Sequence, residues 1–380
     1  MSGRAGRVYQ EPHGRPQWRE RLVTFRAREG IAMQGFIHVC DTYLDRFAVS
    51  EAKFEGRRAD GAPGLDQSSE IDQLSHELAQ DLLAEVASCG GTRAASALLH
   101  GHPLHARVVL QSAVMRHALN KPRGYAGDMD LMLMLCDGVP RGNSPFARAV
   151  NEVFVRVPAA QAVRDRVAML GRLLDRLPDG ARVLNLACGP ALEVQHLVAA
   201  RPDRHLRVDL VDHDPHTLAY LRSQIPHPGV RMFAGNAFRI LAGDLRVGRD
   251  RGDTPAGSSL TPGYDLIYSA GLYDYIPDAT SGAGGAPQLT RVLFSLLNPS
   301  GLLLVGNYLT PTPTSGHQPH VRAMMELYSH WYLRYRSADE IAGLAATIDA
   351  PHTVNLTDEN GRPLETSPGA VIGFAALQAA

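Results

Sequence analysis

The sequence predicts an α/β protein: an open, doubly wound, mostly parallel sheet of seven strands, preceded by an N-terminal helical subdomain. Three observations carry this reading. From residue 182 onward, short apolar runs alternate with helix-like spacers: RVLNLAC (182–188), HLRVDLVD (205–212), VRMFAG (230–235), YDLIYSA (264–270) and GLLLVGNYL (301–309). Continuous apolar runs at that spacing suit parallel strands covered on both faces. The tail adds HTVNLT and AVIGFAAL with no clear helix between them, the pattern of a closing antiparallel hairpin. Before residue 150, by contrast, apolar residues recur at three- and four-residue steps, the helical period.

The polar, arginine-rich stretch over residues 1–20 reads as a flexible tail, and residues 21–157 as a helical N-terminal or cap domain. Its clearest helix is SSEIDQLSHELAQDLLAEVASCGG, where Ile71, Leu74, Leu78, Leu82 and Val86 form one stripe behind a Ser69 cap and before a Gly90-Gly91 stop. Residues 31–48 and 104–118 look similar but less regular, and EGRRADGAPGLD (55–66) reads as a loop. Ser144-Pro145 starts a further helix, and Val163, Val167, Leu170, Leu174 and Leu177 form another stripe that ends at LPDG. Residues 158–380 carry the sheet and with it the expected ligand-binding domain. Two insertions rich in Gly, Pro and Ser, 244–263 and 278–287, read as surface loops beside the fourth strand.

Composition narrows the function classes. With 38 Lys plus Arg against 39 Asp plus Glu, no broad polyanion-binding surface is expected, so nucleic acid is a minor candidate. No apolar run is long enough to span a bilayer, and the first residues lack the apolar core of a secretory signal, so no membrane partner and a cytoplasmic location are expected. Cysteines at 40, 89, 136 and 188 have no Cys-x-x-Cys spacing, so neither a metal site nor a redox pair is expected. A homodimer stays open.

In such sheets ligands bind outside the carboxyl ends of the strands, where strand order reverses. The first strand runs into LNLACGPALEV (184–194). A dinucleotide fingerprint needs Gly at 187, 189 and 192, but the chain has Ala187, Gly189 and Leu192, and no Lys-Ser or Lys-Thr follows as a Walker loop requires. What survives is a tight turn with one glycine and the small neighbours Ala187, Cys188 and Ala191. Asp212, ending the next strand, follows Gly189 by 23 residues, close to the spacing of about 20 at which a strand-end carboxylate meets a ribose diol. The third strand ends in Gly235-Asn236-Ala237-Phe238, an amide and an apolar wall for an adenine. Together these describe an adenosine site with no phosphate cradle.

Over about residues 160–380 these strand-end motifs resemble the class I S-adenosylmethionine-dependent methyltransferases, whose Rossmann-like fold is the sheet predicted above. KPRGYAGDMD (121–130), PAAQAVRDR (158–166), SAGLYDYIPD (269–278), LLNPSGLLLVGNY (296–308) and HWYLRYRSADEI (330–341) further resemble bacterial methyltransferases of the biosynthesis of the extracellular factor hydroxypalmitic acid methyl ester. The resemblance implies S-adenosyl-L-methionine as cofactor. It implies that Ala187, Cys188 and Gly189 line the methionine part, Asp212 binds the ribose, His213 packs on the adenine, and Asn236, Ala237 and Phe238 meet it. Ser269, Ala270 and Gly271 would lie beside the sulfonium, with Tyr125, Asp128 and Arg164 closing over the cofactor from the helical side. The chain departs from the family at Asn185, where an acid is common, at Ala187 and Ala191, where glycines are, and at Asn236, where Asp is usual.

Methyl transfer from a sulfonium is an in-line displacement, so alignment in a dry pocket is the main task. A carboxylate acceptor, fatty or hydroxy-fatty, is favoured because it is already anionic at neutral pH and needs no base; an amine or hydroxyl acceptor wants one. Tyr273, Asp274 and Tyr125 are the candidate catalytic residues. Tyr275, Asn307, Tyr308, Tyr332 and Arg336 are the candidates for the small-molecule acceptor, with Arg336 as a carboxylate clamp. Each also has a plainer reading: HWYLRY as an amphipathic helix that only packs, Asp274 as a turn cap, His330 as a satisfied histidine, RGYAGD as a connector. A cofactor-binding regulatory protein that lost the chemistry is the alternative from another class.

Overall fold

The computed structural model describes residues 33–54, 65–139, 141–205, 207–248, 258–280, 283–313 and 318–380. The expected tail over 1–20 and the loop residues 55–64 lie outside the described residues.

The seven-stranded sheet is present. Its strands are β1 (Arg182–Leu186), β2 (Arg207–Asp212), β3 (Val230–Ala234), β4 (Tyr264–Ser269), β5 (Leu297–Tyr308), β6 (His352–Asp358) and β7 (Ile372–Ala379), in the order β6-β7-β5-β4-β1-β2-β3. Strands β1 to β5 pair in parallel, while β7 runs antiparallel to both β5 and β6. The tail hairpin therefore inserts its second strand between β5 and its own first strand. Order reverses between β1 and β4, so the loops leaving those two strands part and open a crevice at their carboxyl ends.

Burial explains why these runs are strands. Val183, Leu184 and Leu186 of β1 and Leu266, Ile267 and Tyr268 of β4 are all essentially inaccessible, as strands covered on both faces must be. Covering helices include α8 (Pro158–Arg176), α9 (Leu192–Ala200), α10 (Pro215–Gln224), α11 (Ala237–Leu241) and α12 (Ala286–Phe294). Several begin on local signals. Asp214 caps α10 by accepting from His216 N–H at 3.0 Å, and Asn236 caps α11 by accepting from Phe238 N–H at 2.8 Å. Of the two predicted surface loops, the first holds a two-residue ladder of 246–247 with 258–259, and the second pairs 279–280 with 283–284.

The helical part comprises α1 (Gln34–Ala52), α2 (Leu65–Glu85), α3 (Thr92–His100), α4 (Pro103–Arg107), α5 (Ala113–Asn120), α6 (Met129–Cys136) and α7 (Pro145–Arg156). Here the structure corrects three expectations. Helix α2 begins at Leu65, so Ser69 lies inside it rather than at its cap, and it ends at Glu85, before a turn that reaches left-handed Gly90 and Gly91 (φ +82° and +108°). The 104–118 stretch is two helices with a 3-10 turn over Val109–Gln111, because Ser112 is extended and its hydroxyl caps α5 through Met115 N–H. HWYLRY is not helical. Helix α13 (Pro319–Ser329) stops at His330, whose left-handed backbone (φ +52°) turns the chain, and the irregular segment after it bonds elsewhere: Arg334 N–H to Asp274 O at 2.8 Å and Arg336 N–H to Tyr308 O at 3.1 Å.

Helix α13, inserted after β5, packs into the helical layer. Its Ala323, Met324, Leu327 and Tyr328 share one apolar core with Phe36, Phe47, Leu78 and Leu99. The helical layer thereby closes over the carboxyl ends of the strands and supplies a second wall for the crevice.

Candidate active site

The turn after β1 is wound left-handed at alternate residues: φ is +56° at Ala187, +51° at Gly189 and +44° at Ala191. An alanine in that region carries roughly 1–2 kcal/mol of strain that glycine avoids, which is why glycines are common there in the resembling family. Gly189 N–H donates to Asp212 Oδ2 at 3.0 Å, and Asp214 N–H donates to Asp212 Oδ1 at 3.0 Å. Two donors thus fix the Asp212 carboxylate at the end of β2, and each oxygen keeps a lone pair for a ligand. His213 Nδ1 lies 3.4 Å from Asp212, and the hydrogen bond to that carboxylate, with its charge, raises the imidazole's affinity for a proton.

A cavity of about 410 Å³ fills the crevice. At one end it is bounded by Asp212, His213, Asn236, Ala237 and Phe238, with Phe238 exposed at 56% and offering a bare ring face. Across Gly189 it runs toward β4, where Tyr268, Ala270, Gly271, Asp274 and Tyr275 border it. The helical layer contributes Tyr125, Gly127, Met129 and Met132, and α8 contributes Val163, Arg166 and Leu170. Trp331 and Leu333, from the HWYLRY segment, complete the wall.

The RGYAGD segment is docked over this mouth. Arg123 bonds Asp130 at 2.8 Å and lies 3.5 Å from Asp214 of the β2 loop, and Lys121 Nζ donates to His330 O at 2.8 Å. A side chain at Gly127 would sit 2.6 Å from Tyr275 Oη and 3.2 Å from Trp331, so any larger residue would have to displace the Tyr275 hydroxyl. Tyr125 then lies 5.4 Å from the His213 ring and 6.4 Å from Tyr275, whose hydroxyl accepts from Trp331 Nε1 at 2.9 Å. Burial pushes the phenols of Tyr125 and Tyr275 up, so both are neutral donors at pH 7.

Asp274 is 3% exposed and borders the cavity, with Oδ1 accepting from Tyr308 N–H at 2.7 Å. Burial raises its carboxyl to about 6, against partial relief from the Tyr308 amide and from Arg166 and Arg336. Arg166 donates from Nη1 to Ala270 O at 2.6 Å and otherwise meets the Met132 sulfur at 3.6 Å. Arg166 lies on the same helical face as Val163 and Leu170, three residues after one and four before the other, so the stripe itself marks it as inward-facing.

The structure sets other expected residues apart from the cavity. Arg336 is fully buried and its guanidinium is spent on Asp278, Asn307, Tyr273 O and Ile276 O, so it cannot clamp a ligand carboxylate. Asn307 is consumed by Arg336, Tyr308 O and Arg334 O. Tyr273 points into the core with its hydroxyl on Thr290 at 3.0 Å. Tyr332 alternates outward from Trp331 and Leu333, lies 6.3 Å from the His330 ring and is 39% exposed. Asp128 is a buried cap of α6, bonding Leu131 N–H at 2.9 Å and His117 at 2.8 Å. Arg164, roughly opposite Arg166 around α8, binds Gln161 and Leu135 O. Ser269 bonds Leu186 O at 3.0 Å beneath the floor. Tyr308 does border the cavity, its hydroxyl donating to Ala159 O at 3.1 Å.

No protein-family model and no curated protein matches the chain. Solved structures do. A possible exported protein from Bordetella parapertussis is 20% identical and superposes with a TM-score of 0.50, over 72% of this chain and 92% of that one. The likeness is one of fold. The CMeT domain of the citrinin polyketide synthase is 13% identical over 95% of this chain and 94% of its own, at a TM-score of 0.41. An S-adenosylmethionine dependent methyltransferase from Mesorhizobium loti is 13% identical over 56% of this chain and 97% of its own, at 0.38. Among the described residues no helix is long and apolar enough to cross a membrane.

Proposed function

We propose that this chain binds S-adenosylmethionine in the cavity and transfers its methyl group to a small-molecule acceptor. The observation that carries the reading is the Asp212 carboxylate, held by Gly189 N–H beside a turn that lacks the glycines of a phosphate cradle. That arrangement suits a nucleoside diol without a pyrophosphate. The donor set fits the rest of the cofactor: an exposed ring at Phe238 for a base, open space at Gly189, and acidic and basic side chains toward β4.

When bound, the cofactor supplies an electrophilic methyl group on a sulfonium. The chain's part is to orient the acceptor and keep water out. Tyr125, Tyr275, Trp331 and the methionines form a mostly apolar wall, and the docked RGYAGD segment closes the mouth. For a carboxylate acceptor, the guanidinium in reach is Arg166, beside Ala270 and Gly271; it needs no base. A second reading, an amine acceptor, is favoured by Asp274. With its carboxyl raised to about 6 and Oδ2 unbonded by any other described residue, it is an acceptor for an amine proton at neutral pH.

Calorimetric titration with S-adenosylmethionine tests the binding, and absence of binding sinks the proposal. Incubation with labelled cofactor and a panel of fatty and hydroxy-fatty acids, amines and phenols tests the chemistry by mass spectrometry. A methylated carboxylate supports the first reading and a methylated amine the second. Binding with no methylated product from any class would favour a cofactor-binding regulatory role.

A further inference from the structure

Eight residues beyond Asn185, where the resembling family commonly has an acid, the chain carries a buried one. Glu193, in the first turn of α9, is 5% exposed and borders the cavity together with Asn185 and Tyr268. Its Oε1 accepts from Asn185 Nδ2 at 3.0 Å and from Tyr268 Oη at 2.8 Å. No hydrogen bond from another described residue reaches Oε2, and Glu193 forms no ion pair among the described residues. Arg166 acts on it by charge alone, without a hydrogen bond, and is itself bonded to Ala270 O.

A carboxylate buried without a cation is unfavourable, and burial raises the Glu193 carboxyl above its ordinary value. A ligand that brings a positive charge to this carboxylate would offset that cost. Asn185 is the right neighbour for this: its amide donates to Glu193, whereas an aspartate there would face Glu193 with a second negative charge.

Position fixes which part of a ligand meets this group. With Asp212 and the 236–238 segment on the β2–β3 side and Tyr268 on the β4 side, a nucleoside bound at Asp212 extends across Gly189 toward Glu193. Resting on the cofactor reading above, we infer that Glu193, oriented by Asn185 and Tyr268, is the residue that receives the α-ammonium group of the cofactor's amino-acid end. The contact is a charge-assisted hydrogen bond from ammonium to Oε2, with no covalent step.

The test pairs two ligands with two proteins. S-adenosylhomocysteine is compared with the analogue that lacks only its α-amino group, by calorimetry, on the full chain and on Glu193→Gln. A charged partner in a buried site is worth about tenfold to a hundredfold in affinity. The wild-type chain is expected to prefer S-adenosylhomocysteine over the analogue by at least tenfold, and Glu193→Gln to lose most of that preference while binding the analogue as before. Equal affinity of the wild-type chain for both ligands overturns the inference whether or not the variant folds. So does a preference that survives in Glu193→Gln. If the wild-type chain binds neither nucleoside, the cofactor reading itself has failed, and this inference with it.

Discussion

Replacing Arg336 separates a structural role from a ligand-binding one. The side chain is fully buried, and its guanidinium holds the carbonyls of Tyr273 and Ile276, the Asn307 amide oxygen and Asp278. It thereby pins the 272–278 segment, which bears Asp274 and Tyr275, to the end of β5. Arg336→Met keeps much of the volume but strands three neutral buried acceptors, each worth about 1–3 kcal/mol when left unbonded. Their sum is a ceiling, because water and backbone relaxation recover part of it, and Asp278, 38% exposed, remains hydrated. The expected loss is about 3–5 kcal/mol, the range for breaking a buried charged pair. Arg336→Lys keeps the charge but not the fork, and should lose about 1–3 kcal/mol. Urea unfolding followed by far-UV circular dichroism reads both as shifts of the midpoint at constant slope. A loss below about 1 kcal/mol for Arg336→Met, accompanied by a raised KM for the acceptor, would refute the assignment and return Arg336 to the ligand.

Further outcomes follow from the same geometry. Gly189→Ala adds a methyl group where φ is +51° and no atom lies within 4 Å, so it should cost only about 1 kcal/mol of stability, yet cut cofactor affinity at least tenfold by filling the cavity side of the turn; equal effects on stability and binding would contradict this. Ala187→Gly relieves a left-handed alanine and should stabilise slightly, by about 0.5 kcal/mol after the unfolded-chain entropy of glycine is counted, as read by denaturant midpoint. Asp274, with its carboxyl raised to about 6, binds more protons folded than unfolded between its ordinary value and 6, so folding stability falls as pH rises through that window. Asp274→Asn should flatten that slope and stabilise the fold near pH 7 by up to about 2–3 kcal/mol, while turnover of an amine acceptor drops; an unchanged pH–stability curve would show that Asp274 titrates normally.

Legibility followed the range of the interaction. The strand runs, the Ser144-Pro145 and LPDG boundaries and the Asp212 strand end are written in local period and local chemistry, and each appears where the sequence placed it. Ala187, Cys188, Gly189, Asp212, His213 and Asn236 all border the cavity, because a strand end in a doubly wound sheet has few places to go. The errors cluster where a residue type was read without its direction. Arg164 and Arg166 are two apart, about 200° around a helix, and only the second faces in. Tyr273 and Tyr275 straddle one 3-10 turn, and one enters the core while the other meets the cavity. HWYLRY has helical spacing but is irregular, since its backbone finds partners at Met325 O, Asp274 O and Tyr308 O instead of within itself.

The sequence by itself determined the parallel sheet, its closing hairpin and the tight turn with a single glycine after β1, because apolar period, turn residues and glycine spacing act between near neighbours. Only the tertiary structure decided that β7 inserts between β5 and β6, that α13 joins the helical layer, that Arg336 is spent inside the wall, and that Glu193 accepts a hydrogen bond from Asn185. Those outcomes depend on which distant groups compete for the same buried donor or acceptor, and that competition is settled only when the chain has closed around them.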